Sequence, residues 1–188
     1  MKYLLFFLSF SALAADNTIN IQQIGMNNTI NVLQDGSGHT ATVNLGITSN
    51  VDNTAISIDQ KDSGVKTANV EIKTGINNGI NILQQGAGNH TASIQNLNGS
   101  GNNISINQDG NGNHQLNVIG SAGTTNSGNT INATQSGSAG ADKWFQVNLL
   151  GATGATVNVQ QTNPTQANQA SMNIQCSSNC GSWSYIRN

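Results

Sequence analysis

The chain predicts an all-β fold: a β-solenoid of stacked strand–turn–strand repeats, about six rungs tall with an extra N-terminal half rung. Three observations lead there. A short phrase, Asn-x-Ile-x-Ile/Val-x-Gln-x-Gly, recurs at 17–25 (NTINIQQIG), 28–36 (NTINVLQDG), 78–86 (NGINILQQG), 102–110 (NNISINQDG) and 129–137 (NTINATQSG, with Ala133 at the second apolar place), and weaker copies lie at 56–60 (ISIDQ) and 157–161 (VNVQQ). A repeated strand-sized unit is the mark of a stack. The glutamines that close the phrase, Gln23, Gln34, Gln60, Gln84, Gln108, Gln135 and Gln161, are spaced by 11 and then by 26, 24, 24, 27 and 26 residues. Within each unit apolar and polar residues alternate with period two, and no helical stripe can be drawn.

The elements follow in order. Residues 1–14 read as a signal peptide: Lys2 gives a basic start, 3–10 is an apolar run, and Ala12-Leu13-Ala14 fits a small-x-small cleavage site. That run is too short for a membrane-spanning helix, and no second long apolar run follows, so no integral membrane segment is expected. The repeat region spans 15–176, with a half rung at 18–23 and a tail at 177–188. Each later interval holds the phrase strand and, after a glycine-rich turn, a second strand: 40–45 (TATVNL), 67–72 (TANVEI), 91–97 (TASIQNL), 115–118 (QLNV) and 143–149 (KWFQVNL). Gly25, Gly36, Gly86, Gly110 and Gly137 stand where the chain must turn, and glycine reaches positive φ without a Cβ penalty.

Alternation assigns the faces. Ile30, Val32 and Gln34 share one side of their strand and Thr29, Asn31 and Leu33 the other; Ala41, Val43 and Leu45 oppose Thr42 and Asn44. Two arrangements fit the unit: a hairpin whose strands pair with each other, or an arch whose strands join two different sheets. The arch explains more. It stacks Ile30, Ile56, Ile80, Ile104 and Ile131 in one column, Val32, Ile58, Ile82 and Ile106 in another, and the glutamines in a third. A buried amide left without a partner costs about 1–3 kcal/mol. A ladder of identical amides repeating every ~4.8 Å removes that cost.

Composition excludes several function classes. Charged residues are 7% of the chain, far below the usual quarter. A nucleic-acid groove needs dense Lys/Arg and stacking aromatics, and neither is present. An enzyme reading fails because no nucleophile, base and orienting acid share a context, so no catalytic residue and no cofactor is expected. His39, His90 and His114 recur near the starts of second strands. A metal column is one reading of them and turn histidines bonded to water or amides the other; the latter is preferred, and no metal site is assigned. Cys176 and Cys180 suit a small local disulfide in an exported chain, with free thiols the main alternative and a metal site the weakest, since no His or further Cys lies nearby. Asp35, Asp62 and Asp109 have two compatible readings: ordinary turn chemistry, which is preferred, and charges that keep neighbouring strand edges from pairing too early.

These residues resemble the curlin repeat of curli, the amyloid fibres of bacterial surfaces, written Gln-x-Gly-x2-Asn-x5-Gln. Full copies stand at Gln23, Gly25, Asn28, Gln34 and at Gln84, Gly86, Asn89, Gln95; a third keeps Gln108, Gly110 and Asn113 but ends in Ile119. The resemblance implies a secreted subunit that passes through the periplasm and an outer-membrane secretion pore, meets a nucleator subunit, and polymerises with itself at the cell surface. Such fibres serve biofilm matrix, adhesion and colonisation. It places Asn28, Asn89 and Asn113 with the glutamines in the amide ladder. The tail 177–188 (SSNCGSWSYIRN) has no counterpart in the repeat. Strand edges at the two ends, near Ile19 and Ile21 at the front and Met172 and Ile174 at the back, are then the polymerisation surfaces, because charge is nearly absent beside them. The alternatives are a nucleator subunit, or a monomeric capped solenoid acting as an adhesin or an ice-binding module.

Overall fold

The computed structural model describes residues 16–46, 49–121 and 123–188. The leader expected over 1–14 lies outside them. The described chain is all β, with strands β1 (Thr18–Asn20), β2 (Thr29–Asp35), β3 (Thr40–Thr42), β4 (Val51–Asp52), β5 (Ala55–Lys61), β6 (Lys66–Val70), β7 (Gly75–Ile76), β8 (Gly79–Gln84), β9 (His90–Gln95), β10 (Asn103–Gly110), β11 (His114–Gly120), β12 (Thr130–Gly137), β13 (Lys143–Leu149), β14 (Ala155–Gln161), β15 (Asn168–Ile174) and β16 (Gly181–Arg187). Two seven-stranded sheets run β1-β3-β6-β9-β11-β13-β15 and β2-β5-β8-β10-β12-β14-β16, and β4 pairs with β7 in a short third sheet. Every pairing is parallel, so the unit is an arch and not a hairpin, and about six coils stack into a solenoid.

Both faces of the repeat now have a place. Inward positions of the phrase sheet are buried at Ile56, Ile58, Ile80, Ile82, Ile104, Ile106, Ile131, Val157 and Val159. Across from them lie Ala41, Val43, Ala68, Val70, Ala92, Ile94, Leu116, Val118, Phe145 and Val147. One rung carries both Ala133, the smallest buried member of its column, and Phe145, the largest of its own. Summed volume per rung is thereby kept near what the interior accommodates.

Two expectations are corrected. Its sequence puts the half rung at 18–23, with Gln23, among the phrases, but β1 joins the other sheet, Thr18, Ile19 and Asn20 pairing with Thr40, Ala41 and Thr42. The reason is the step of 11 from Gln23 to Gln34, which is half a rung, so the first phrase must occupy the opposite side of the arch. The tail at 177–188, expected outside the stack, also contributes a strand to it: β16 pairs with β14 from Ala155↔Gly181 to Gln161↔Arg187 and completes the phrase sheet.

The return loops, irregular in sequence, form their own rung-to-rung contacts. Val51 N–H donates to Ile24 O (3.2 Å), Asn77 N–H to Asp52 O (3.1 Å), Gly101 N–H to Ile76 O (3.0 Å) and Gly128 N–H to Ser100 O (2.8 Å). Ser127 bridges Thr153 in parallel, and Cys180 N–H donates to Thr153 O (3.1 Å). Loops that stack in this way leave few backbone groups without partners.

Candidate assembly surfaces: interior columns and open sheet ends

The glutamine column is built by strand register. Gln34↔Gln60, Gln60↔Gln84, Gln84↔Gln108, Gln108↔Gln135 and Gln135↔Gln161 are paired positions. Each Nε2 donates to the Oε1 of the next glutamine, at 2.8, 2.9, 2.8, 2.8 and 2.7 Å along the series. Each also donates across the arch to a main-chain carbonyl of the other sheet: Thr18, Thr40, Thr67, Thr91, Gln115 and Trp144 in order. The column therefore ties rung to rung and sheet to sheet. Gln23 stands outside it, donating instead to Gly25 O (3.4 Å), because its strand lies in the other sheet.

The asparagines fall into two columns. Asn28 belongs with the residues that open each phrase: its Oδ1 accepts from Thr54 N–H (2.9 Å) and its Nδ2 donates to Val51 O (2.6 Å). Asn78, Asn102 and Asn129 continue that column, Oδ1 of each accepting from the main chain one rung on, at Asn102, Asn129 and Ala155. Asn89 and Asn113 lie at the opposite corner, where Asn89 Oδ1 accepts from Val65 N–H (2.7 Å), Asn113 Oδ1 from Asn89 N–H (3.0 Å), and Asp142 Oδ1 from Asn113 N–H (2.8 Å). Neither set is in the glutamine column. The signal for the first was visible, since Asn opens five of the phrases.

The histidines stand in a column, buried against main-chain carbonyls and not bonded to water as the preferred sequence reading has them, and Lys66 and Lys143, which no reading of the sequence placed there, share it. Lys66↔His90, His90↔His114 and His114↔Lys143 are paired, and His39 precedes Lys66 in the same line, its Nδ1 accepting from Lys66 N–H (3.4 Å). All five side chains are buried. The His90 and His114 rings stack with centroids 4.9 Å apart. Nε2 of His39, His90 and His114 faces Asp35 O (3.3 Å), Gln85 O (2.7 Å) and Asp109 O (3.0 Å), so Nε2 carries the proton. Burial pushes all three below the usual imidazole value, His90 to about 4. Burial likewise lowers Lys66 and Lys143, yet both amines are caged by carbonyls: Lys66 by Ser63, Gly64, Gly86 and Gly88, Lys143 by Asn163 and Gln166. No three His, Cys, Asp or Glu side chains among the described residues are grouped to hold a metal ion.

Of the turn glycines, Gly86 and Gly110 show the constraint. Gly110 has φ +107, and a Cβ there would sit 2.5 Å from Gly137 O. Gly25 stands on the return-loop side against Val51, apart from the others, and Gly137 has ordinary negative φ.

Four strand edges stay open: β1 and β2 at the front, β15 and β16 at the back. Interior positions that are sealed mid-stack are only half-buried there, at Ile19, Ile21, Ile30, Val32 and Met172. Ile174 is different from expectation, being fully buried in the core. Cys176 and Cys180 are joined in a disulfide. On β16, Trp183 and Ile186 are exposed, while Tyr185 packs on Phe145 (4.9 Å between centroids) and donates to Asn168 Oδ1 (2.8 Å). No helix among the described residues is long and apolar enough to cross a membrane. Comparison with protein families, with curated proteins and with solved structures finds no match for this chain.

Proposed function

We propose that the protein is a secreted structural subunit that assembles head to tail into extracellular, curli-like amyloid fibres for biofilm matrix, adhesion and surface colonisation. The observation that supports this most is the pair of unfinished ends: columns buried mid-stack stop half-covered, and both terminal strands of both sheets keep one unpaired edge. Among the described residues these edge strands contain no lysine and no proline, and their only charges are Asp35 at the end of β2 and Arg187 at the end of β16, so the edges are sparsely defended. A front-to-back contact is heterologous and non-closing, so it yields a filament. By the curlin resemblance, a nucleator subunit and an outer-membrane secretion pore are the partners in this reading.

A capped monomeric module is the second reading, favoured by the Phe145–Tyr185 packing and the disulfide at the back end. The test is purified chain without its first 14 residues in dilute buffer, followed by Thioflavin fluorescence, electron microscopy and fibre diffraction. A seedable lag, fibres, and a ~4.8 Å axial spacing are expected. A chain that stays monomeric at high concentration selects the capped module and refutes the fibre.

A further inference from the structure

We infer that a second copy of this chain docks on the back end in one register, with Arg187 opposite the neighbour's Gln34. This rests on the head-to-tail reading and specifies it. Column positions extend by pairing: Val157↔Trp183, Val159↔Tyr185 and Gln161↔Arg187 at the back, Ile30↔Ile56, Val32↔Ile58 and Gln34↔Gln60 at the front. Stacking one copy on the next in the same frame sets Trp183 on Ile30, Tyr185 on Val32 and Arg187 on Gln34. In the other sheet, Ala170 and Met172 meet Ile19 and Ile21.

Hydrogen-bond direction selects this frame. Along the glutamine column Nε2 of Gln34, Gln60, Gln84, Gln108 and Gln135 donates toward the back, and each Oε1 from Gln60 to Gln161 accepts from the front. The column therefore ends at the front in an acceptor, Gln34 Oε1, and at the back in a donor, Gln161 Nε2, which Asn168 Oδ1 already satisfies at 2.8 Å, so the front end is the one that needs a donor. Among the described residues nothing donates to Gln34 Oε1, and the Arg187 guanidinium meets no acceptor. Arginine is a donor without acceptor capacity, so Arg187 supplies what Gln34 lacks and cannot satisfy a donor in its place. Covering a cation at this corner has precedent in the chain, because Lys66 and Lys143 are buried among main-chain carbonyls. The Gln169 carbonyl, next in the series that accepts from each glutamine across the arch, is placed to do the same for Arg187.

Outward positions give the test. Asn31 and Ser184 belong to one outer column, through Asn31↔Ser57 at the front and Asn158↔Ser184 at the back. In the inferred frame they become neighbours ~4.8 Å apart across the junction, within reach of a disulfide. The double variant Asn31→Cys/Ser184→Cys is assembled, oxidised and run on a denaturing gel, beside Thr29→Cys/Ser184→Cys and Leu33→Cys/Ser184→Cys, which are one pleat off. Covalent multimers from the first pair, at least tenfold above the other two, are expected. Fibres that crosslink better through Thr29 or Leu33, or through none of the three, overturn the register while leaving the fibre intact. Absence of fibres from the parent chain by electron microscopy removes the head-to-tail reading itself and this register with it. Arg187→Glu, which sets acceptor against acceptor, should slow elongation onto parent seeds tenfold or more, and Arg187→Gln should not; equal slowing by both also overturns the assignment.

Discussion

Removing one rung of the glutamine column tests how much the interior depends on it. Gln108 is fully buried, accepts from Gln84 Nε2 (2.8 Å), and donates to Gln135 Oε1 (2.8 Å) and to Thr91 O (2.9 Å). Gln108→Ala leaves three neighbouring groups short of a partner, at about 1 kcal/mol each on the low side of the range for buried polar groups. The void left by the truncated side chain adds to this. A loss of about 4 kcal/mol is expected. Gln34→Ala is the internal control, because Gln34 is 9% exposed, makes a single glutamine–glutamine bond, and holds its cross-arch bond at 3.4 Å. Its expected loss is about 1 kcal/mol. The assay is guanidinium unfolding of the unassembled chain followed by circular dichroism, extrapolated to water. Equal losses at positions 34 and 108, or less than about 1 kcal/mol at 108, would refute a column that stabilises through buried amide bonds.

The remaining predictions concern the corners. His90, with Lys66 on one side, His114 on the other and Asp109 nearby, holds its folded value at about 4, first because of burial, against 6.5 for an ordinary imidazole. The unfolded chain thus takes up the proton first; stability is complete above pH 6.5 and falls by roughly 3 kcal/mol as pH drops toward 4, with His39 and His114 acting in the same direction. Unfolding midpoints measured from pH 8 to 4 check this, and a flat profile contradicts it. Lys66→Met, which leaves four carbonyls without their donor, should lower stability by about 3 kcal/mol, while Lys73→Met on the exposed side should change it by less than about 0.5 kcal/mol in the same unfolding assay. Gly110→Ala should cost about 2 kcal/mol through φ +107 and the approach to Gly137 O, read as a shift in thermal midpoint; Gly140→Ala, with φ +81 but open space around it, should cost less.

The stack was legible in the sequence because identical residues at intervals of 24 to 27 must fall at the same place in successive coils. Ile56, Ile80 and Ile104 follow from that alone. What was not legible has physical reasons. Lys66 and Lys143 share a column with His90 and His114, but a lysine in a sequence reads as a surface charge, and nothing local announces the carbonyl cage that buries it. β16 was hidden because Trp183 and Tyr185 replace the β-branched residues of the phrase and Arg187 replaces its glutamine. The first phrase was misplaced because its residues match the repeat while its spacing does not, and spacing decides which sheet a strand enters.

The glutamine column also has an electrical consequence. Five consecutive side-chain amides point the same way along the axis, so their bond dipoles add instead of cancelling. Aligned amides polarise one another, strengthening each bond by about 10–30%. A bond in the middle of the line has aligned neighbours on both sides and a bond at either rim has only one, so this mutual strengthening is greatest at mid-stack.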